Sequence, residues 1–418
     1  MTELVFDDLS FEEKESKIKV TFLKIFYFYI DELSLKNIGN FKVNGNKIEF
    51  INVNEKRAER KFNILLSKGF AHLKNKLNNK PAIYIHKNSG IPLIGTNYFG
   101  LIDRGTNLIE IKPITSCNLS CIYCSVDEGP LSRRKIDFVV EKDYIVEELK
   151  RLVQYKNVDY IDAHINSQGE PLLYASMVDL VADIAKIPQV KAISIDTNGT
   201  LLNKQLIDDL AKAGLTRINL SLNALDKGTA DKMAGLPYNL KKVMSLAEYI
   251  PKKVDLIIAP VWLPGYNDDE LVKLAKFAKK IGAGKKCPPI GVQNFMHYRF
   301  GRNPIKAVEI SAFYKKLKDL EQKHGILLIN DESMFNIKKC KELQKPFKKG
   351  DIVTAKIVCS GRLNKEMLAV NHKSNKHLPA NLIEDRIISV PNCHKQEGFV
   401  KLKIKRSKHN IFLGELLS

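Results

Sequence analysis

The sequence predicts an α/β fold: an open, partial (β/α)6 barrel set between an N-terminal α+β extension and a small C-terminal all-β barrel. Three observations predict it. From Asn107 onward six apolar runs alternate with six amphipathic segments, the pattern of a parallel sheet with helical crossovers. Residues 1–100 lack that alternation and contain no cysteine. The last 74 residues hold short alternating strands opened by glycine, with no strong helical stretch. Six units fall short of the eight that close a full barrel, so this one is read as open. A composition of 44% hydrophobic and 27% charged residues is globular rather than disordered, and 418 residues leave room for three domains, at 1–100, 101–330 and 345–418.

In the extension, Lys56–Leu77 has helical periodicity through Phe62, Leu65, Leu66, Phe70, Leu73 and Leu77. Pro81–His86 reads as a short strand and Gly90–Gly100 as a turn-rich connection. Central strands are expected at Asn107–Lys112, Asp159–Ile165, Lys191–Asp196, Thr216–Leu222, Val254–Pro260 and Ile290–Phe295. Helices are expected at Val139–Tyr155, Tyr174–Ile187, Asn203–Ala213, Thr229–Tyr249, Asn267–Ile281 and Val308–His324. Asn203 and Asn267 are placed to cap helix starts, Gly214 and Gly282 to stop helices. In the last region the expected strands are Ile352–Val358, Phe399–Ile404 and Asn410–Leu416. Reactive groups in parallel α/β sheets gather at the carboxyl ends of the strands, and that rule selects among the motifs.

Charge is uneven. Lys+Arg outnumber Asp+Glu by 67 to 47, and residues 345–418 alone hold 15 basic and 6 acidic residues. Such an excess points to a polyanionic partner, nucleic acid before membrane. Lys401, Lys403 and Lys405 alternate along one strand and so share a face, which Arg406 and Lys408 extend. A row of ammonium groups suits a phosphate backbone; the plainer alternative is a solvated lysine-rich surface. Two more basic stretches, Ser132–Lys135 and Met296–Arg302, follow the first and last central strands. Thr21–Ile30 is too short to span a bilayer and contains Lys24. A cytoplasmic chain with no membrane partner and no structural disulfides is therefore expected.

Cys117, Cys121 and Cys124 crowd into eight residues directly after the first central strand. Three thiolates so spaced can converge on one inorganic cluster, and a [4Fe–4S] cube held by three cysteines leaves one iron open. A structural zinc ion would want a fourth ligand, and the candidates His164 and Cys287 are far off in sequence. Cys287, Cys340, Cys359 and Cys393 lie 53, 19 and 34 residues apart and read as buried or incidental thiols.

The Cys-x3-Cys-x-aromatic-Cys motif after the first strand of a (β/α)6 array resembles the radical S-adenosylmethionine (radical SAM) superfamily. Further matches come in order: Gly169-Glu170-Pro171 after the second strand, with Gln168 where relatives often have another glycine, and Thr197-Asn198-Gly199 ending the third. Ser221-Leu222-Asn223 ends the fourth, Pro260 and Asn267 frame the exit of the fifth, and Ile290–Phe295 occupies the place of the sixth. The resemblance covers Asn107–Gly325 and implies a radical SAM barrel. It implies a [4Fe–4S] cluster on Cys117, Cys121 and Cys124, and S-adenosylmethionine held by Tyr123, Gly169, Glu170, Pro171, Asn198, Ser221 and Asn223. It further implies reductive cleavage of S-adenosylmethionine to a 5′-deoxyadenosyl radical, and an electron donor such as ferredoxin or flavodoxin. No catalytic residue is assigned, and His297 is not taken as one. Sulfur-inserting relatives use a second cluster, typically in a cysteine-bearing N-terminal domain, so the cysteine-free residues 1–100 disfavour methylthiolation.

Lys348–Val358, Gly398–Arg406 and Leu413–Leu417 are similar to the TRAM domain, a small RNA-binding β-barrel of several tRNA-modifying enzymes. Together the two resemblances imply a radical SAM enzyme that modifies RNA, in the first place tRNA. The alternatives are the same radical chemistry on a peptide, protein side chain or small metabolite, or a non-catalytic zinc-stabilised RNA-binding protein.

Overall fold

The computed structural model describes residues 2–371 and 385–417; residues 372–384 and 418, part of the expected C-terminal domain, lie outside the described residues. The N-terminal part contains more strand than its sequence suggests. Thr2–Val5, Lys47–Phe50 and Phe41–Asn44 form one antiparallel sheet in that order. Leu9–Lys14, Lys17–Phe22, Phe26–Asp31 and Lys74–Asn75 form a second. Alternate residues turn inward, so Ile18, Val20 and Phe22 are buried along one strand. The helix Glu55–Phe70 buries Ala58, Phe62 and Leu66, and the Phe62 ring lies 5.7 Å from Phe6 and 5.9 Å from Phe11. This helix stops at Phe70, short of the expected Leu77. Leu73 is buried and Lys74–Asn75 pairs with Phe26–Tyr27, so sheet-edge pairing overrides the apolar periodicity beyond Phe70.

The central sheet runs Asp255–Ile258, Arg217–Leu220, Val190–Thr197, Ile161–Ile165, Leu108–Lys112, Gly100–Asp103. The first five strands are parallel, and Gly100–Asp103 joins antiparallel at the edge, unanticipated. The expected sixth strand is nearly lost. It survives as a parallel bridge from Ile258 to Ile290 and a two-residue pairing of Val261–Trp262 with Gln293–Asn294. Pro288 and Pro289 just before it remove backbone donors, and Gly291 further weakens the strand.

Helices pack outside, with three departures from expectation. Asp137–Val140 is a strand paired with Ala82–Ile85, so the following helix starts only at Lys142. The expected Thr229–Tyr249 helix is two, Lys227–Ala234 and Leu240–Tyr249, because Gly235 takes a left-handed conformation at φ +67° and Pro237 comes two residues later. Asn203 caps Lys204–Ala213 by accepting from Leu206 N–H, but Asn267 caps nothing. The helix after it begins at Glu270, and buried Asn267 instead ties Asn223 O and Val261 O to Leu263 N–H.

The sheet has two unlike faces. Ile109, Ile111, Ala163, Ile165, Ile193, Ile195, Ile218 and Leu220 are buried in the large apolar core. The other face carries a polar row: in register across five strands stand Glu110, His164, Ser194, Arg217 and Asp255. Asp162 joins the network by accepting from Ser194 Oγ at 3.0 Å and pairing with Arg217 at 3.0 Å.

The C-terminal region closes a five-stranded barrel in the order Ile352–Ser360, Met367–Asn371, Arg386–Val390, Phe412–Leu416, Phe399–Arg406. Met367–Asn371 and Arg386–Val390 were not anticipated; both are buried along almost their whole length and lack the polar alternation used to find the others. The barrel interior is packed by Val353, Ile357, Ile388, Val400, Leu402, Ile404 and Phe412.

Candidate functional site

The cysteine loop leaves the Leu108–Lys112 strand at its carboxyl end. Ser120 N–H donates to Ala234 O and Ile122 N–H to Met233 O, both at 3.1 Å, pinning the loop to a helix end. Gly235 allows that approach, since a Cβ there would collide with Ser120 O. Cys117, Cys121 and Cys124 all line one cavity of about 320 Å³. Among the described residues no three His, Cys, Asp or Glu side chains gather as around a single metal ion; the three cysteines stand instead around the cavity. Burial pushes all three thiols up, Cys121 to about 12, and neighbouring sulfurs push Cys117 and Cys121 further in the same direction. A cationic cluster would reverse that balance and favour the thiolates.

The second strand ends in Ser167–Pro171. Gly169 backs onto the start of the cysteine loop, where a Cβ would collide with the Ser116 backbone oxygen. Glu170 is 1% exposed, and its carboxylate accepts from Leu172 N–H at 3.0 Å, Thr197 Oγ at 2.7 Å and Asn198 N–H at 2.8 Å. Burial nevertheless outweighs those donors and lifts its pKa to about 7. A cation reaching the carboxylate would restore its charge. Pro171 begins a short 3-10 turn and is buried outside the cavity wall.

From the third strand end, Asn198 lines the cavity while its side chain ties Asn118 Oδ1 at 3.0 Å to Thr200 N–H at 2.9 Å. From the fourth come Ser221 and Asn223. Asn223 Nδ2 donates to Tyr123 Oη at 2.6 Å, and its Oδ1 accepts from Val261 N–H. Tyr123 lies in the cysteine loop, so its bond to Asn223 links that loop to the end of the fourth strand.

Several lining residues escaped the sequence reading. Asp196 faces the cavity two residues before Asn198 and pairs with His164 Nε2 at 3.3 Å; strand alternation from Asn198 could have found it. Ser167 and Tyr238 gave no comparable signal, whereas Phe295, Met296 and Tyr298 belong to the expected sixth strand and the basic stretch after it. Ser167 Oγ and Asn294 Oδ1, both in the wall, are buried without a hydrogen-bond partner. Orphaned polar atoms of this kind are what a polar ligand satisfies on entering. With three thiols around it, a cradle at Gly169 and a buried carboxylate beside it, the cavity fits an iron–sulfur cluster together with a polar, cationic small molecule.

Behind the cysteine loop two arginines hold it from outside. Arg302 donates to Cys121 O at 3.0 Å and Glu128 O at 2.9 Å and pairs with Asp127 at 2.8 Å. Arg362 of the C-terminal barrel is fully buried and pairs with Glu128 and Asp137. Glu128 N–H donates to Cys124 Sγ at 3.3 Å. The other cysteines lie apart: Cys287 donates to Asp255, Cys340 lies by Lys156 Nζ, and Cys393 is buried in the C-terminal barrel.

The profile of the Radical SAM superfamily matches residues 111–278. An uncharacterized protein of Methanocaldococcus jannaschii is 40% identical over 398 residues, covering 88% of this chain and 89% of its own length. The GTP 3′,8-cyclase of Listeria welshimeri is 34% identical over 183 residues, 42% of this chain, which spans only 51% of the cyclase. Among solved structures, Streptococcus suis SuiB bound to S-adenosylmethionine aligns over 80% of this chain and 74% of its own, at 14% identity and a TM-score of 0.41.

Proposed function

This chain belongs to the radical SAM superfamily, and from that premise we propose that it modifies RNA, in the first place tRNA, by reductive cleavage of S-adenosylmethionine at a [4Fe–4S] cluster. The observation that carries the reading is the single cavity ringed by Cys117, Cys121 and Cys124 on one side and by Gly169, Glu170, Asn198, Ser221 and Asn223 on the other. When bound, the cluster and S-adenosylmethionine supply one-electron cleavage of a C–S bond and hydrogen abstraction from a substrate C–H.

The chain's own residues bind, orient and exclude water. The three cysteines would hold the cluster, for which a donor such as ferredoxin or flavodoxin in the cytoplasm would be the electron source. Glu170 offers a desolvated carboxylate to the ammonium of the methionine part, which holds it in the charged form. Pro171 fixes the turn that aims Glu170 and makes no contact of its own. Ser221 and Asn198 present polar groups along the wall. Tyr123 is kept in place by Asn223. Ala230, Ala234, Val261 and Phe295 close the remaining wall with apolar surface.

RNA as the substrate is supported by the C-terminal barrel. Along Phe399–Arg406 the burial alternates, leaving Phe399, Lys401, Lys403 and Lys405 outward on one face, with Lys356 on the neighbouring strand. An exposed aromatic among lysines matches the TRAM-like reading of this barrel and suits a sugar-phosphate backbone. A second reading, a free nucleotide, is favoured by the likeness to the GTP 3′,8-cyclases.

Anaerobically reconstituted protein should hold about four irons per chain, as a [4Fe–4S] cube requires, and release 5′-deoxyadenosine when reduced. Cys121→Ala should abolish both; a variant that keeps cleavage refutes the site. Comparing nucleosides from tRNA of cells with and without this protein tests the substrate, and an unchanged set removes the RNA reading.

A further inference from the structure

A second cavity, about 520 Å³, opens where four parts of the chain meet: Tyr98 ahead of the barrel, the cysteine loop, the loop that carries Arg299 and Phe300, and the C-terminal barrel. Its wall holds four arginines, Arg133, Arg134, Arg299 and Arg406, against two carboxylates, Asp127 and Glu366. Both carboxylates are spent. Asp127 pairs with Arg133 and Arg302, and Glu366 accepts from Tyr98 Oη, Leu363 N–H and Ser389 Oγ. Arg134 is spent too, on Val126 O and Phe300 O. The remaining cations face solvent. Arg133 already holds Asp127 and Gly301 O although its side chain is 73% exposed, whereas among the described residues the exposed side chains of Arg299 and Arg406 have no hydrogen-bond or ion-pair partner. Arg299 lies over the Phe300 ring at 5.0 Å, and that ring is 45% exposed. Unspent guanidinium groups around an open aromatic face match a phosphate next to a base.

The groove also lies beside the chemistry. The loop after the barrel serves both cavities: Met296 and Tyr298 line the one ringed by cysteines, Arg299 and Phe300 line this groove. Tyr298 and Phe300 are two residues apart, so roughly 7 Å of backbone separates the two walls. A ligand in the groove therefore stands next to the mouth of the reaction cavity.

We propose that this groove binds a single-stranded ribonucleotide segment, its phosphates on Arg299 and Arg406 and a base on Phe300, so that the neighbouring nucleotide enters the cysteine-ringed cavity past Tyr298. The proposal rests on the RNA reading above and names the site next to the chemistry, whereas the lysine face of the C-terminal barrel serves the backbone at large.

The test is fluorescence anisotropy of a labelled single-stranded RNA oligonucleotide on the full-length protein across a salt series. Arg299→Ala/Arg406→Ala should weaken binding at least tenfold and flatten the salt slope by between one and two. Phe300→Ala should weaken it severalfold while leaving the slope alone. Arg406→Glu, an exposed change, repeats the first result without loss of packing, and each variant's melting curve establishes that it is folded. Lys401→Ala/Lys403→Ala/Lys405→Ala is measured beside them. If that triple variant binds weakly and the groove variants bind normally, the groove is overturned and the RNA reading survives. If wild-type protein binds no RNA, both fall. If GTP displaces the oligonucleotide at equal concentration, and the groove variants lose GTP equally, the occupant is a free nucleotide and the ribonucleotide-segment assignment is overturned.

Discussion

Arg362 and Glu128, 234 residues apart in the chain, form a two-pronged ion pair from which water is excluded. Burial pushes the Glu128 carboxyl up, and the Arg362 guanidinium pulls it back toward the charged form. Asp137 and Ile136 O take two more of the arginine's donors, at 2.9 Å each. The C-terminal barrel is thereby part of the cysteine site rather than a detachable module. Arg362→Ala leaves Glu128 and Asp137 unpaired in the interior and should cost about 3–5 kcal/mol in urea unfolding. Iron retained after reconstitution should fall with it, and Arg362→Lys should recover part of both. Full iron content in a destabilised Arg362→Ala protein would show that the clamp does not reach the cysteines.

Ser167 makes the opposite prediction, because its hydroxyl is buried without a partner. Ser167→Ala removes a desolvated group and should stabilise the free protein by about 1 kcal/mol. If the hydroxyl awaits a ligand, the same change should weaken S-adenosylmethionine binding by roughly fivefold, the worth of one neutral hydrogen bond. Calorimetric titration of reconstituted protein measures the second effect, and equal affinity in both proteins removes Ser167 from the site.

At Gly169 there is no space, whereas at Gly282 (φ +73°) a Cβ meets nothing within 4 Å. Gly282→Ala should therefore cost only the left-handed backbone strain, roughly 1–2 kcal/mol. Gly169→Ala must push back the Thr115–Ser116 backbone that leads into Cys117, so iron content should fall as well as stability. Denaturation midpoints paired with iron assays separate the two variants; parallel behaviour contradicts the close approach.

His164 has Asp196 on one ring nitrogen and Ser194 on the other, with Asp162, Arg217 and Glu110 around it. Burial opposes its charge, but Asp196 outweighs burial and the pKa rises above the ordinary histidine value. A raised folded-state value means stability that is fully present below about pH 6.5 and is lost as pH climbs through the higher value. Within that window each pH unit should remove up to ~1.4 kcal/mol in wild-type protein. In His164→Gln the slope should vanish. Ring NMR of His164 gives the titration directly, and a midpoint at or below 6.5 contradicts the Asp196 pairing.

What could be read from the sequence was local and periodic. Cysteine spacing and the carboxyl-end rule pointed to Cys117, whereas Glu170, Asn198 and Asn223 were expected from the resemblance to the radical SAM superfamily; each lies within a few residues of an apolar run. The near loss of the Ile290–Phe295 strand was written in Pro288 and Pro289, but the apolar pattern was given more weight. Asn267 has the composition of a helix cap and does a different task, since a buried amide with three backbone partners in reach has no reason to face solvent. The Arg362–Glu128 pair was out of reach in principle. An arginine in a hairpin looks like surface, and only the folded chain brings two carboxylates to it.

That pair also sets an order of events. Cys117, Cys121 and Cys124 leave the ribosome well before Arg362, and at ~5–20 residues per second the delay is roughly 10–50 s. Until then Glu128 lacks that partner, and of the two outer arginines only Arg302 can hold the loop that carries the thiols. Iron delivery therefore belongs after chain termination, and a message broken off ahead of codon 362 yields a product whose sulfurs invite oxidation instead of metallation.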